Sequence, residues 1–213
     1  MAAETVPANT KAREFELVGG SPCLDFVNTL DDRPSDHQKE LLNNYADLVA
    51  FAEQSGLLKS KEAKSLLERA ATSPREARES LRKTIDLREA MYGVFWAIEQ
   101  KSKVPEESLA ALNGHIQESA GHAEFVRANG TFESRFDDAG SLHRPRWALA
   151  RSAAELLSSG DRLQFIRACS SPTCQWLFLD TSKNHQRRWC DMRLCGNRDK
   201  VRRFYARKRE NAE

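Results

Sequence analysis

Residues 169–195, CSSPTCQWLFLDTSKNHQRRWCDMRLC, hold four of the five cysteines of this 213-residue chain. The cysteines form two C-x4-C pairs, Cys169 with Cys174 and Cys190 with Cys195, and fifteen residues separate the pairs. Each pair closes a tight turn that presents two thiolates to one ion, and the segment between the pairs supplies a hairpin that brings the turns together. The spacing predicts a site for one Zn²⁺ ion with all four cysteines as ligands.

Two disulfide bonds are the alternative explanation for four closely spaced cysteines. The N-terminus, MAAETVPANTKAREF, lacks the charged and then apolar pattern of a secretory signal, so we expect a cytoplasmic, reducing compartment. Two disulfides would also leave Cys23 as an odd thiol. We therefore favour zinc, and because four thiolates leave no open coordination position, we expect the ion to be structural.

The segment after the last cysteine, GNRDKVRRFYARKR, has the pattern of a basic helix. At 100° per residue, Val201, Phe204 and Tyr205 fall on one arc, and we expect this apolar stripe to dock the helix. Residues 181–209 contain 11 Lys or Arg and two acids, so they carry +9 while the rest of the chain carries −7. A basic module on an acidic body indicates a polyanion as partner.

Arginine outnumbers lysine eight to three in residues 181–209, which favours bidentate contacts with phosphate or guanine. DNA is the favoured partner. RNA is less favoured, because the aromatic residues that can stack on unpaired bases are more often the core of so small a module. The candidate nucleic-acid contacts are Arg187, Arg188, Arg193, Asn197, Arg198, Lys200, Arg202, Arg203 and Arg207.

A structural role for some of these arginines is the competing interpretation. Four thiolates and one Zn²⁺ leave a site charge of −2, and Arg188, Arg193 or Arg198 can neutralise it or donate to the sulfurs. Other basic residues can dock the finger against the acidic body. These roles account for three or four of the basic side chains and leave the remainder for a polyanion.

The first 160 residues have the pattern of a mainly helical body. Apolar residues recur at helical spacing in six segments. One segment surrounds Trp147, and the other five begin at Ser21-Pro22, Tyr45, Ser60, Ser73-Pro74 and Pro105. The longest pattern runs from Ser73 to about Gln100 and has two apolar rows, so we expect a central helix. Strand candidates lie at 14–18, 123–127 and 131–136, the last two joined by Ala128-Asn129-Gly130.

The expected fold class is therefore α+β. A mainly helical N-terminal domain with a small antiparallel sheet, residues 1–160, precedes a four-cysteine zinc finger, residues 161–213, that ends in a basic helix. A cysteine pair that leads into a helix is similar to a treble clef. No uncharged apolar run approaches the roughly 18 residues that span a bilayer, so we expect no membrane partner.

The body offers little that indicates catalysis. No serine stands in a nucleophile-elbow setting, and Gly19-Gly20 is followed by neither a Walker lysine nor a dinucleotide-binding motif. We expect that the chain is not an enzyme. Its five histidines are scattered without metal-ligand spacing: His37, His115, His122, His143 and His185.

Residues 169–209 resemble the CGNR zinc-finger family, named for the run found here as Cys195-Gly196-Asn197-Arg198. The segment FLDTSKNHQRRWCDMRLCGNRDK is similar to that family's pattern, with both four-residue gaps; His185-Gln186 stand where small or basic residues are more usual. The body resembles the ABATE domain in the CLDFVNTL segment, the long central helix and the length before the finger. The resemblance implies a bacterial, cytoplasmic, stress-induced transcription regulator with a DNA-binding finger.

Three functions remain open. The first is a DNA-binding transcription regulator whose body senses an unknown small effector or forms a homodimer, since two half-site contacts supply affinity that one short helix cannot. The second is a protein-interaction module in which the finger is purely structural. The third is a small-molecule-binding or enzymatic body with an accessory finger, which a well-formed pocket within residues 1–160 would favour.

Overall fold

The computed structural model describes residues 13–136 and 140–210. Helices dominate this part of the chain, and the strands pair as three two-stranded antiparallel sheets, β1–β2, β3–β4 and β5–β6. The expected α+β class is confirmed. The helices are α1 Pro22–Val27, α2 Tyr45–Gln54, α3 Ser60–Thr72, α4 Pro74–Glu99, α5 Glu106–Ala120, α6 Arg144–Leu157 and α7 Asn197–Glu210. The strands are β1 Leu30–Asp31, β2 Lys39–Glu40, β3 Ala123–Ala128, β4 Thr131–Phe136, β5 Ile166–Ala168 and β6 Leu177–Leu179.

Helix α4 lies at the centre of the body, as its two apolar rows predict. Pro74 occupies the first turn, where the missing N–H costs no hydrogen bond. Over 26 residues the helix buries Leu87, Met91, Val94 and Phe95, and it contacts α1, α2, α3, α5 and α6. None of the helices in the described residues is both long enough and apolar enough to cross a membrane.

Helix α1, from the CLDFVNTL segment, is short and deeply buried. Its carboxylate Asp25 accepts a hydrogen bond from the Gly19 N–H at 2.6 Å, and burial raises the pKa of Asp25 to about 6. A Cβ at Gly19 would lie 2.8 Å from the Asp25 backbone nitrogen, so only glycine fits there. The close approach fixes the entry of the chain into the core.

The strand expected at residues 14–18 does not form. The segment runs along α2 instead, where the Phe15 N–H donates to Gln54 Oε1 at 3.0 Å and Gln54 Nε2 donates to the Arg13 carbonyl at 2.6 Å. The Phe15 ring packs edge-on against Phe51, with the ring centres 5.3 Å apart. Phe15 thus packs on α2, whereas Val18 packs against the cluster around the four cysteines. The Gln54 side chain satisfies backbone groups that a neighbouring strand would otherwise pair.

The predicted hairpin is confirmed as β3–β4. Asn129 and Gly130 form its two-residue turn, with φ angles of 50° and 82°, the positive values that a type I′ turn requires. Strands β1, β2 and β5, only two or three residues long, were not expected, and they extend the single predicted sheet to three small ones.

Strand β6 joins the helical body to the cysteine-rich segment. Leu177 and Leu179 belong to the main core, whereas Trp176 and Phe178 belong to a second core around the four cysteines. The Leu179 N–H donates to the Gly19 carbonyl at 2.9 Å. The main core thus continues past residue 160, and the division of the chain into domains 1–160 and 161–213 remains a prediction.

Candidate metal centre and basic helix

The four predicted zinc ligands converge between the β5–β6 hairpin and the start of α7. All four are buried, and their Sγ atoms lie within 4.8 Å of one another. Cys174 and Cys190 are 3.8 Å apart at sulfur, and Cys190 and Cys195 are 3.5 Å apart. Tetrahedral Zn²⁺ with Zn–S bonds of about 2.3 Å requires sulfurs about 3.8 Å apart, so the donor set fits one zinc ion. All five cysteines of the chain are unbridged.

Local hydrogen bonds build the two cysteine turns. In the first, the Cys174 N–H donates to the Ser171 carbonyl at 3.1 Å. In the second, the Asp191 carboxylate accepts from the backbone N–H groups of Arg193 and Leu194 and so fixes the turn that leads into α7. A Cβ at Gly196 would lie 2.6 Å from Met192 Sδ, so a larger residue there would require the half-exposed Met192 side chain to move.

Crowding changes the acidity of the thiols. Hydrogen bonds from the other three cysteines lower the pKa of Cys195, and Arg198 lowers it further. The Arg198 Nη2 group donates to Cys195 Sγ at 3.1 Å, and its Nε donates to the Leu194 carbonyl. A divalent ion binds thiolates and releases their protons, so these residues would hold Zn²⁺ while Arg198 offsets part of the negative charge.

A buried carboxylate organises the loop between the cysteine pairs. Asp180 accepts hydrogen bonds from the Ser182 hydroxyl at 2.6 Å, the Ser182 N–H at 3.0 Å and the Arg187 N–H at 2.8 Å. Burial opposes ionisation, but these hydrogen bonds lower the pKa of Asp180. His185, the departure from the family pattern, stacks on Phe165 with ring centres 3.9 Å apart and therefore fits the loop.

Four of the nine predicted nucleic-acid contacts make strong contacts within the chain. Arg187 donates to the carbonyls of Trp189 and Cys190 and lies 4.4 Å from the centre of the Phe178 ring. Arg198 donates to the metal centre, as the competing interpretation expected. Arg202 and Arg203 both pair with the buried Asp199, the latter at 2.7 Å. The Asp199 carboxylate, which the sequence patterns did not indicate, therefore orients two arginines on the first turns of α7.

The other predicted contacts face solvent or fall outside the described side chains. Arg193, Asn197 and Lys200 are exposed, and their side chains have no hydrogen-bond or ion-pair partner among the described residues. Arg188 is also exposed and lies over the Trp189 ring, 5.3 Å from its centre. Arg207 lies on α7, but its side chain is outside the described part of the structure.

The apolar stripe of α7 does not dock the helix, contrary to the sequence-based expectation. Val201, Phe204 and Tyr205 are 56%, 64% and 57% exposed, and the Phe204 and Tyr205 rings contact each other edge-on. Helical periodicity correctly assigned these residues to one arc, but it contains no information about what covers that arc. The helix is therefore anchored at its first turns rather than along its length.

Three histidines that look scattered in sequence come together in the body: His115, His122 and His143. The first lies 2.9 Å from a guanidinium nitrogen of Arg146, and the second stacks on Trp147. Arg146 is buried and binds Glu118 through both guanidinium Nη atoms, one contact at 2.7 Å. Desolvation and the positive charge of Arg146 lower the pKa of His115 and of His143. The histidines thus surround an ion pair in which the Arg146 guanidinium is buried and the Glu118 carboxylate is partly exposed, a grouping that the sequence patterns did not predict.

A buried four-thiolate centre that leads into a basic helix, on a helical body, defines a zinc-finger protein of the structural-zinc class. Residues 166–208 match the CGNR zinc finger, and residues 20–160 match ABATE, described as "putative stress-induced transcription regulator". The chain belongs to the ABATE family and carries a CGNR zinc finger. The resemblance drawn from the cysteine motif and the CLDFVNTL segment is confirmed. A comparison with curated proteins found no match.

Proposed function

We propose that the chain is a transcription regulator that binds DNA through its zinc finger, with α7 as the main contact element. The observation that carries the proposal is the exposed basic surface on the first turns of α7, held in place by the metal centre. A helix of 14 residues is about 21 Å long and about 10–12 Å wide with its side chains, dimensions that suit a major groove about 12 Å wide.

The contacts within the chain separate the nine predicted nucleic-acid contacts into two groups: residues that position the finger and residues that contact DNA. Arg187 and Arg198 would position the finger, because their guanidinium groups already bind backbone carbonyls or the Cys195 sulfur. Arg202 and Arg203 would contact phosphate, since the Asp199 pairing leaves other N–H groups of each guanidinium free. The remaining proposed contacts are Arg188, Arg193, Asn197, Lys200 and Arg207.

Salt dependence of binding tests this proposal. The slope of log affinity against log salt changes by about 0.9 for each phosphate that the protein no longer neutralises. The double variant Arg193→Ala/Lys200→Ala removes two exposed cations without disturbing an internal contact, so we expect the slope to fall by about 1.8. The matched control, Lys61→Ala/Arg75→Ala, removes two exposed cations of the body and should leave the slope unchanged.

Duplex DNA, single-stranded DNA and RNA probes should be compared in a mobility-shift assay at two salt concentrations. We expect the tightest binding to duplex DNA. The proposal would be contradicted if the affinity for duplex DNA changed neither with salt concentration nor in the Arg193→Ala/Lys200→Ala variant. Preference for single-stranded RNA would instead assign the surface to RNA.

A second candidate function is a protein-interaction module in which the finger is structural. The exposed stripe of Val201, Phe204 and Tyr205 favours it, because large apolar side chains grouped on one helix face indicate a contact surface. This function predicts no nucleic-acid binding by the full chain or by a chain lacking residues 197–213. It also predicts that the truncation abolishes binding to a partner protein.

We also propose that the chain is cytoplasmic and not an enzyme, with any small effector bound by the body. A cavity of about 420 Å³ lies beside the metal centre rather than within the helical body. A second cavity, on the body near Ser21 and Ser152, measures about 320 Å³, at the lower end of the range of roughly 300–1,000 Å³ for ligand sites. Thermal-shift screening of metabolites against the full chain tests whether an effector binds.

A further inference from the structure

Among the described residues, strand β4 has one edge without a partner strand. It pairs with β3 from Phe136–Ala123 to Thr131–Ala128, and no other strand of the described residues adjoins it. Ala128 and Thr131 close a two-residue turn, so their backbone groups face each other. Alternation along an antiparallel pair then leaves the backbone N–H and C=O groups of residues 132, 134 and 136 pointing away from β3. Such an edge is a template for another strand.

The same hairpin exposes aromatic surface. Phe125 and Phe132 are 77% and 73% exposed. The register pairs Phe125 with Ser134 and Arg127 with Phe132, which places both rings on one face of the hairpin, together with Phe136. An isolated two-stranded hairpin is marginally stable in water, and additional strands stabilise it. The hairpin therefore has both an open edge and apolar surface available for association.

The sequence of β4 indicates which strand fits its edge. The five residues centred on Ser134 read aromatic, charged, serine, charged, aromatic from either end: Phe132, Glu133, Ser134, Arg135 and Phe136. Reversing the direction exchanges only the signs of the two charges. An antiparallel second copy centred on Ser134 would bring Phe132 opposite Phe136 and Glu133 opposite Arg135. This register also brings the outward backbone groups of residues 132, 134 and 136 face to face.

The charged residues support the same register. Glu133 and Arg135 are about half exposed and pair within the strand at 3.3 Å. In the two-copy arrangement they lie at non-hydrogen-bonded positions, where cross-strand side chains approach most closely. Each carboxylate then gains a second guanidinium, and no like charges face each other.

We propose that the chain forms a homodimer in which two β4 strands pair about a twofold axis through Ser134 and merge two hairpins into a four-stranded antiparallel sheet. The interface is isologous, since each copy contributes the same strand. This inference is independent of DNA binding, because no residue of α7 takes part in it.

Reversal of charge tests the register. Sedimentation equilibrium of the full 24.1 kDa chain should show a dimer at concentrations up to about 100 µM, at which micromolar affinity is detectable. Glu133→Arg places like charges opposite each other, as does Arg135→Glu, so each variant alone should raise the dimer dissociation constant at least about tenfold. An equimolar mixture of the two variants should recover the dimer, because every charge then faces its opposite.

A backbone variant tests the strand pairing itself. Ser134→Pro removes an N–H that points away from β3, so the hairpin should persist while the central intermolecular hydrogen bonds are broken. We expect a monomer with an unchanged circular dichroism spectrum, and Ser134→Ala, the matched control, should remain a dimer.

A wild-type chain that stays monomeric at about 100 µM overturns the proposal. It is overturned equally if the dimer persists in Ser134→Pro and in both unmixed charge variants, or if it is lost only on Phe204→Ser/Tyr205→Ser, which would assign the interface to α7. Should Ser134→Pro fail to fold, the charge variants decide, since both substituted side chains are exposed.

Discussion

Asn28 links the body to the zinc-bearing segment through one side chain. Its Nδ2 donates to the Leu177 carbonyl and its Oδ1 accepts from the Leu177 N–H, both at 2.9 Å, and Asn28 is only 4% exposed. The two bonds satisfy both backbone groups of a residue that lies 149 positions away. No local pattern in the sequence predicts such a contact.

We expect Asn28→Ala to lower the free energy of unfolding by about 2–4 kcal/mol, because it leaves two buried backbone groups unpaired at about 1–3 kcal/mol each. Urea denaturation measures the loss. Asn113→Ala, at an exposed position of α5, is the matched control and should stay within about 0.5 kcal/mol of wild type. Equal effects of the two variants would contradict the assigned role.

The buried Arg146 gives a pH-dependent prediction at Glu118. Hydrogen bonding from Arg146 lowers the pKa of Glu118 from 4.5 to about 2. The folded state therefore binds fewer protons than the unfolded state between these values, so the stabilisation is present above about pH 4.5 and is lost as the pH falls towards 2.

We expect Glu118→Gln to cost about 1–2 kcal/mol at neutral pH, a value reduced for solvent screening because the Glu118 side chain is 44% exposed. The difference from wild type should largely disappear near pH 2.5, as urea unfolding at the two pH values can measure. The exposed Glu107→Gln on the same helix is the control. A loss of the same size at both pH values would show that packing, rather than charge, is responsible.

Among single residues, the cysteines were the most predictable and the anchoring side chains the least. Zinc ligands follow a spacing rule that is visible within 27 residues, so the sequence alone identified all four sulfurs that the structure brings together. Asp199 and Arg187 were not recognised as internal partners, because a charged residue in a basic segment has the same pattern whether it faces a groove or a neighbouring carbonyl.

At the scale of the zinc finger, metal content gives a direct prediction. Wild-type protein should contain one zinc per chain, and Cys174→Ser should lose it, because three thiolates no longer complete the tetrahedral site. Elemental analysis of protein purified under reducing conditions measures the ratio. Cys23→Ser, which changes a buried thiol of the body, is the control and should retain one zinc; loss of zinc in both variants would contradict the assignment.

Helices were better predicted than strands, for physical reasons. An amphipathic helix repeats its pattern over many residues, so α4 and α6 were visible, and the Asn-Gly turn identified the β3–β4 hairpin. Strands β1, β2 and β5 are too short to show alternation. The apolar residues at 14–18 do not form a strand, because Phe15 packs on α2 and Val18 packs against the cluster around the four cysteines.

The whole molecule is expected to unfold as one unit. Ile166, Leu177 and Leu179 belong to the main core, and the residues alternating with them in β6 pack around the metal centre. Removal of zinc should therefore destabilise the helical body as well as the finger. Differential scanning calorimetry should show one unfolding transition. Its midpoint temperature should fall when a zinc chelator that does not react with thiols is added. Two transitions would contradict this expectation if the midpoint temperature of the larger one did not change when the chelator was added.

Strand β6 also makes it difficult to transfer the zinc finger to another protein without the helical body. If the zinc finger were transferred to another protein, Leu177 and Leu179 would require an apolar surface to pack on. The backbone of Leu177 would also require a hydrogen-bonding partner in place of the Asn28 amide. The recipient would have to supply the equivalent of α1 before the transplanted metal centre could close. We therefore expect the zinc finger of this chain to fold only together with the body.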